Sequence, residues 1–253
     1  MYCSGCGKQI PEDYSGPICP SCGATLAPAA PEAPAPPGIP WEERDRLGFF
    51  PALLANLRGC LFDPDGFFRS MPKRENVGSA LFYAILLGWI GGLGGVVWDV
   101  AFQGSRQEIL KAFGFPQMEN ALSGPMRGVA YTVAAVLLPV ALLLGIFVVS
   151  AVLHASLWIL GGAKEGFATT LRTHCYASGS TALFQWIPLC GGLVGLVWWL
   201  VLQIYGLSRS HEISGGKAAL AVLLPLALCC LMILALVILF ASFFLALFKG
   251  MSV

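Results

Sequence analysis

Long apolar runs fill the later part of the chain and contrast with a cysteine- and proline-rich beginning. Runs over about 77–102, 128–160 and 218–248 each exceed the roughly 20 residues with which an α-helix crosses a bilayer. They contain few charged side chains, so they predict three transmembrane helices. Pro139 and Pro225 lie inside two of these runs and predict a bend or a tilt at those points.

A further apolar stretch, residues 173–208, is too long to cross the membrane once. As one helix it would measure about 54 Å at 1.5 Å per residue, whereas the apolar core of a bilayer is about 30 Å thick. Pro188 and two nearby glycines interrupt the stretch close to its middle. We therefore predict two short spans, 173–188 and 191–208, and five transmembrane helices in total.

The basic residues predict the orientation of these spans, because Lys and Arg concentrate on the cytoplasmic side of membrane proteins. With five spans and a cytoplasmic N-terminus, eleven of the 15 Lys and Arg residues fall inside and four outside. Treating 173–208 as one span places ten basic residues inside and five outside. The difference is small, so the length of the stretch remains the main argument for five spans. The C-terminus is then outside. The first 40 residues show no secretory signal pattern, and the first span should be retained.

Residues 41–76 predict a juxtamembrane region with an amphipathic helix on the membrane surface. Five apolar side chains recur there at helical spacing and form one stripe: Phe50, Leu53, Leu54, Leu57 and Leu61. Asp63 followed by Pro64 is typical of the N-cap and first residue of a further helix. Residues 27–40, just upstream, hold six prolines and predict an extended Pro/Ala-rich linker.

The composition agrees with a membrane protein and excludes several other classes. Hydrophobic residues make up 57% of the chain and charged residues 11%, against about 25% charged in soluble domains. An ordinary soluble enzyme, a disordered chain and a fibrous protein are therefore excluded. The net charge of +1 gives no basic excess for nucleic-acid binding.

Residues 1–26 predict a small zinc ribbon. Cys3 and Cys6 form one C-x2-C pair and Cys19 and Cys22 a second, a pattern that places four thiolates around one tetrahedral zinc ion. Because all four ligands are cysteine, no position stays open for water, and the ion should be structural. Two disulfides are the alternative, which the predicted cytoplasmic location disfavours.

The ribbon has too little positive charge to bind nucleic acid. It carries one basic residue, Lys8, against the acidic Glu12 and Asp13. Docking of a cytoplasmic or membrane protein partner and simple solubilisation remain as alternative roles.

Few polar residues lie within the membrane part, and each has a structural and a functional interpretation. His154 and His174 fall at the cytoplasmic side and either pack by hydrogen bonds or carry protons; Asp99 falls at the opposite side and should be solvated. Cys60 is either a plain interfacial thiol or an acylation site. Small-residue pairs predict close helix packing within the chain or a homo-oligomer: Gly88/Gly92, Gly91/Gly95 and Gly191/Gly195. No catalytic motif such as HExxH or GxSxG is present.

A series of short motifs follows in a characteristic order from the juxtamembrane region to the last span: Phe62–Asp63–Pro64, Phe67–Phe68, His154, Gly161–Gly162, Phe167, Thr170–Leu171–Arg172, Tyr176, Ile187–Pro188, Gly191–Gly192, Gly206–Leu207 and Lys217. In their order and spacing these motifs resemble the YIP (Ypt-interacting protein) family of five-span membrane proteins, in a bacterial form with an added zinc ribbon. The resemblance covers roughly residues 60–240 and implies membrane lipids as neighbours and the bacterial inner membrane as the location. Eukaryotic members are associated with small GTPases, but their Asp-Leu-Tyr/Trp-Gly-Pro and Gly-Tyr-Gly motifs are absent here, so GTPase binding is not implied.

The sequence thus predicts an all-α polytopic membrane bundle, residues 77–253, behind a zinc ribbon, a linker and an amphipathic helix. The leading functional hypothesis is a non-enzymatic scaffold whose ribbon recruits a partner. A small-solute or lipid transporter or channel is the alternative, since proline-bent helices can line a binding site. An intramembrane enzyme using His154 or His174 is the weakest of the three.

Overall fold

The chain divides into two compact units, Met1–Pro37 and Gly38–Val253. A computed structural model describes residues 3, 5–11, 14, 17–24, 38–72, 76–105, 108 and 125–251. The first unit is the cysteine-rich module. The second unit consists of helices and their connections, with no β-strand among its described residues.

Eight α-helices and two short 3-10 helices make up the described part of the second unit. The 3-10 helices are Pro40–Glu43 and Leu183–Trp186. The α-helices, in chain order, are α1 (Arg44–Leu47), α2 (Phe49–Phe62), α3 (Pro64–Arg69), α4 (Val77–Ala101), α5 (Pro125–Ile159), α6 (Phe167–Ala182), α7 (Gly191–Ser210) and α8 (Gly215–Met251).

Four of these helices are long and apolar enough to cross a membrane, namely α4, α5, α7 and α8. Their bounds lie within three residues of the predicted spans, and Pro139 and Pro225 lie inside α5 and α8. The predicted span 173–188 differs, because α6 begins at Phe167, six residues earlier, and has only 16 residues. Its first three residues are half-buried, and most residues from Thr170 onward are buried against the other helices. The 3-10 helix continues α6 to Trp186.

Neighbouring helices of the bundle alternate in direction along the chain. Hydrogen bonds pair Tyr83 with Ser180 and the Trp98 indole with the carbonyl of Trp186, so α4 and α6 run parallel. Helix α7 returns antiparallel to α6, since Gly195 approaches Phe184 while Gly206 approaches Thr173. Helix α5 likewise runs antiparallel to α4. The starts of α4, α6 and α8 therefore share one end of the bundle with the ends of α5 and α7; we call it the α3 end, because α3 packs there.

Glycines allow the close approach of α4 and α6 at the centre of the bundle. A Cβ atom at Gly94 would lie 2.8 Å from the Trp186 ring, and one at Gly179 would lie 2.9 Å from the Tyr83 ring. Gly91 faces the backbone carbonyl of Ala182 even more closely. These contacts use α4 glycines for packing within the chain, where small residues let helix backbones meet.

Helix α2 has a buried side made of small and polar residues. Ala52, Asn56 and Cys60, spaced four residues apart, are fully buried against the bundle. Two of the apolar side chains point elsewhere: Phe50 is 71% exposed and Leu54 is 65% exposed. The stripe predicted from the sequence is therefore divided, because Leu53, Leu57 and Leu61 are partly buried against the core of the bundle.

The start of α3 follows the predicted capping pattern. The side chain of Asp63 accepts a hydrogen bond of 3.1 Å from the amide of Gly66, and Pro64 is the first helical residue. Phe67 and Phe68 of this short helix are buried in the same core as α4 and α6.

Candidate functional site

The four predicted ligands of the first unit lie together. Their sulfur atoms are all within 4.8 Å of one another, with 3.7 Å between Cys3 and Cys22 and 4.0 Å between Cys6 and Cys19. Among the described residues, this is the one group of three or more His, Cys, Asp or Glu side chains able to surround a metal ion.

Two equivalent turns hold the cysteines in place. In the first turn, the amide of Gly7 donates to the Cys3 carbonyl at 2.8 Å; in the second, the amide of Gly23 donates to the Cys19 carbonyl at 2.9 Å. Both glycines have positive φ angles, +70° and +68°, a backbone conformation that glycine adopts without steric cost. The C-x2-C-G spacing thus encodes the same local fold twice.

The geometry of the cluster fits a tetrahedral metal ion better than disulfide bonds. A zinc–sulfur bond of about 2.3 Å gives a tetrahedron with sulfur–sulfur edges of about 3.8 Å, close to the distances between these thiols. A disulfide would need about 2.05 Å. The amides of Gly5 and Cys6 lower the pKa of the Cys3 thiol to about 6, which favours the thiolate that binds metal. The acidic neighbours Glu12 and Asp13 lie outside the described residues.

A buried ion pair joins the segment before α1 to the first turns of α6, at the α3 end of the bundle. Nη2 of Arg172 on α6 lies 2.6 Å from Oε1 of Glu42, and the Tyr176 hydroxyl donates to the same oxygen at 2.8 Å. Nη1 of Arg172 donates to the Pro72 carbonyl at 2.6 Å. The two charged side chains are only 2% and 11% exposed. We call this arrangement the Glu42 clasp.

Trp41 anchors the same segment beside the clasp. Its side chain is fully buried, and its indole N–H donates to the Ser79 carbonyl at 2.9 Å. The Arg44 guanidinium lies 5.2 Å from the Trp41 ring centroid and donates to the Ser79 hydroxyl at 2.6 Å. Sequence reasoning missed this anchor and the clasp, because residues 41–76 were interpreted only as a juxtamembrane region with an amphipathic helix. The signal available was a lone Trp directly after Pro40, followed by two glutamates.

The structure connects His154 to a histidine that the sequence did not single out. Thr170 lies between them, with its hydroxyl 2.8 Å from Nδ1 of His154 and 2.9 Å from Nε2 of His211. The amide of Glu165 donates to Nδ1 of His211 at 3.2 Å, so this nitrogen is an acceptor and the ring is neutral. Burial lowers the pKa of His211 to about 4. The chain of hydrogen bonds ties together the connections at the α3 end.

The other polar candidates are separated from this network and from one another. Nδ1 of His174 lies 2.6 Å from the side-chain amide nitrogen of Gln203, within the bundle. Asp99 accepts a hydrogen bond from the Tyr131 hydroxyl on α5, toward the other end of α4, so it is paired rather than simply solvated. The Cys60 thiol is fully buried and lies 3.6 Å from the Tyr176 carbonyl, so it is not accessible to an acylating enzyme.

Comparison with known proteins gives one family. The model of the Yip1 domain matches residues 58–249, about three quarters of the chain, from within α2 almost to the end of α8. No curated protein and no solved structure matches the chain significantly. The cysteine cluster, Trp41 and Glu42 all precede the matched region, whereas Arg172 and the three histidines lie inside it. The chain belongs to the Yip1 domain family of membrane proteins.

Proposed function

We propose that the chain is a non-enzymatic membrane scaffold. Its cysteine module holds one structural zinc ion and recruits a protein partner, while the helical bundle organises the surrounding membrane or neighbouring proteins. The observation that carries this proposal is the closed four-cysteine cluster. Four sulfur ligands leave no open position for a substrate or a water molecule, so the module presents a folded surface rather than a reactive centre.

The proposed topology has five spans, with the module in the cytoplasm and the C-terminus outside. Helices α4 to α8 alternate in direction, which supports five passes with α6 and its 3-10 extension as the third. This helical segment covers residues 167–186, about 30 Å at 1.5 Å per residue, enough to cross the apolar core. The four cysteines of the module must stay reduced to bind metal, and thiols stay reduced in the cytoplasm. We place the module in the cytoplasm of a bacterium.

Helix α2 is proposed to lie in the membrane interface. Its exposed residues include Phe50, Leu54 and Phe62, the last 81% exposed. Apolar side chains on a surface helix gain stability when they insert between lipid head groups. Because the opposite side of α2 is fixed to the bundle, the helix would hold the scaffold's α3 end against the bilayer surface.

The absence of an enzymatic role is also part of the proposal. His154 and His211 share Thr170, and His174 pairs with Gln203, so each histidine has a packing role that accounts for it. A double variant, His154→Ala with His174→Ala, that folds but loses a measurable cellular activity would contradict this part of the proposal.

An in-membrane crosslinking pull-down tests the recruitment. The wild-type chain is compared with a Cys19→Ser, Cys22→Ser variant, and with a Cys229→Ser, Cys230→Ser variant as the matched control. The control changes two exposed cysteines of α8 that lie outside the cluster. We expect specific partners with the wild type and the control that disappear with the ligand variant. Identical partner lists for all three proteins, or no partner at all, would refute recruitment.

Transport is the second candidate function. It is favoured by a cleft of about 580 Å³ between α4, α5, α6 and α7, within the membrane part. The size lies within the 300–1,000 Å³ range of small-molecule sites. Flux of solutes or lipids across liposomes that contain the protein, above that of empty liposomes, would support transport, and equal flux would exclude it for the compounds tested.

A further inference from the structure

The cleft between α5 and α7 opens sideways on the bundle. Its rim carries exposed residues from both helices, among them Ala141 and Gly145 of α5 and Gly192 and Leu196 of α7. Its floor is formed by buried residues of α4 and α6. Apolar side chains surround the opening on the outer surface of α5 and α7, so a membrane around the bundle would place lipid directly in front of it.

A row of polar side chains runs along the floor of this apolar cleft. His174, Ser178 and Thr181 lie on one side of α6, at intervals of four and three residues, and Gln185 follows four residues later in the 3-10 helix that continues α6. The row is about 16 Å long, from eleven residues at 1.5 Å each. We call it the polar stripe. The described residues that line the cleft include no Asp, Glu, Lys or Arg.

The hydrogen bonds within α6 define what the polar stripe can offer a ligand. The Ser178 hydroxyl donates to the His174 carbonyl at 2.7 Å, and the Thr181 hydroxyl donates to the Ala177 carbonyl at 2.9 Å. Both oxygens therefore remain available as acceptors. His174 is 95% buried, and its Nδ1 accepts from Gln203, so the neutral ring carries its proton on Nε2 as a donor.

These features select a ligand by polarity as well as by size. An elongated apolar body fits the aliphatic walls, and a hydroxyl group both donates to a serine or threonine oxygen and accepts from an imidazole N–H. A phosphate or carboxylate finds no cation in the cleft, and its transfer from water into this apolar site would be costly. The ligand should therefore be uncharged and should enter from the bilayer.

We propose that this cleft is a binding site for one uncharged, hydroxyl-bearing lipid taken from the surrounding membrane. The apolar walls of α5 and α7 hold its chain, and the polar stripe of α6 binds its hydroxyl group. The proposal does not depend on partner recruitment by the cysteine module, and binding without flux satisfies it, so it can hold or fail separately from both candidate functions.

Two glycines on the rim provide a way to fill the site without disturbing the fold. A Cβ atom at Gly145 or at Gly192 would meet no atom within 4 Å, so the space in front of them is open. Leucine also has a better helix propensity than glycine at these helical positions. Gly78 at the start of α4 has equally open surroundings but lies outside the cleft. Gly78→Leu is therefore the matched control for Gly145→Leu with Gly192→Leu.

The experiment uses a monoacylglycerol whose acyl chain carries a photoreactive group and an alkyne. The full-length protein in liposomes is irradiated with this probe, and the labelled peptides are identified by mass spectrometry. We expect saturable labelling of α5 and α7 beside the cleft, a decrease of at least ten-fold in the double leucine variant, and unchanged labelling in Gly78→Leu. Excess monoacylglycerol should compete with the probe. The corresponding lysophosphatidate, which has the same acyl chain and a phosphate on its glycerol, should not.

A second variant separates polarity from volume. Ser178→Ala with Thr181→Val removes both hydroxyls at nearly constant size; it should weaken competition by monoacylglycerol while an alkane of the same length competes as before. Equal labelling of the wild type and the double leucine variant, or labelling spread over the lipid-facing side of α8, would show annular lipid contact only and overturn the proposal. Equal competition by the phosphorylated lipid would overturn its selectivity for uncharged ligands.

Discussion

The Glu42 clasp makes a strong prediction about stability. In a Glu42→Ala variant, Arg172 keeps its charge and its 2% exposure but loses the Glu42 carboxylate, and the Tyr176 hydroxyl loses its acceptor. Removing one partner of a buried ion pair costs about 3–5 kcal/mol, because the other charge stays buried with less compensation. At about 2–4 °C per kcal/mol for a chain of this size, the unfolding temperature should fall by about 6–20 °C.

The assay is thermal unfolding of the detergent-solubilised protein, followed by the fluorescence of its seven tryptophans at one fixed heating rate. Glu43→Ala is the matched control, because the neighbouring Glu43 pairs with Arg46, whose side chain is 73% exposed. Exposed pairs contribute about 0–1 kcal/mol, so this variant should unfold close to the wild type.

A double variant distinguishes the effect of the buried Arg172 charge from a simple loss of contacts. Glu42→Ala with Arg172→Met removes both charges and keeps an apolar side chain of similar length on α6. If the buried Arg172 charge causes the instability, the double variant should recover at least half of the loss in unfolding temperature, since the two changes are coupled. The reasoning is refuted if Glu42→Ala unfolds like Glu43→Ala, or if the two substitutions are simply additive.

Three further predictions concern other parts of the molecule. Purified protein should contain one zinc ion per chain by mass spectrometry of the metal; Cys19→Ser with Cys22→Ser should lose it, and zinc retained in that variant would contradict the ligand assignment. The pKa of His211 is lowered to about 4 in the folded chain, below its ordinary value of about 6.5. As the pH drops from about 6.5 to 4, this imidazole is therefore protonated in the unfolded chain but not in the folded one, and the free energy of unfolding should fall. A His211→Gln variant should flatten this pH dependence of the unfolding temperature, and an unchanged slope would exclude His211 as its source. Gly91→Ala should destabilise by about 1–3 kcal/mol through contact with the α6 backbone, whereas Gly78→Ala, in open space, should not.

Local signals in the sequence were sufficient for the elements that depend on local chemistry. Two C-x2-C-G turns give the cysteine cluster because each turn is closed by its own backbone hydrogen bonds. Asp63 before Pro64 begins α3 because the cap needs only the next three residues. The interruption at Pro188 separates α6 from α7 for the same reason, since residues 187–190 form the turn between the two helical segments.

Contacts between distant parts of the chain were not predictable from those patterns. Glu42 and Arg172 are separated by 130 residues, and neither lies in a segment whose periodicity indicates burial. His211 was passed over because it falls in a polar connection, yet it is fully buried and is hydrogen-bonded by Thr170 of α6 and by Glu165 of the connection before α6. The interpretation of α2 was incomplete for a related reason. Its apolar stripe was visible in the sequence, but its small buried side, led by Ala52, carries no hydrophobic signal.

The start of α6 was misplaced because hydropathy measures contact with lipid rather than burial in protein. In the two most apolar spans, α8 and α5, the 18-residue windows have mean hydropathies of 3.1 and 2.9, and only 6% and 17% of each window is buried within the chain. The corresponding windows of α4 and α7 have mean hydropathies of 1.9 and 1.5, and 39% of each is buried. Helix α6 continues the series: twelve of its sixteen residues are buried, and it is too polar for a lipid-facing span.

The polarity of α6 therefore follows from its position among the other helices. A helix with protein on most sides can carry Arg172 for the Glu42 clasp at one end and the polar stripe farther along, because partners within the chain satisfy these groups where lipid could not. The same helix has one side that is not fully covered by protein, at the cleft, and that side keeps the hydroxyls of Ser178 and Thr181. Polar groups retained there, beside open space and away from the structural contacts of the helix, are the reason to expect a ligand in the cleft rather than bare lipid chains.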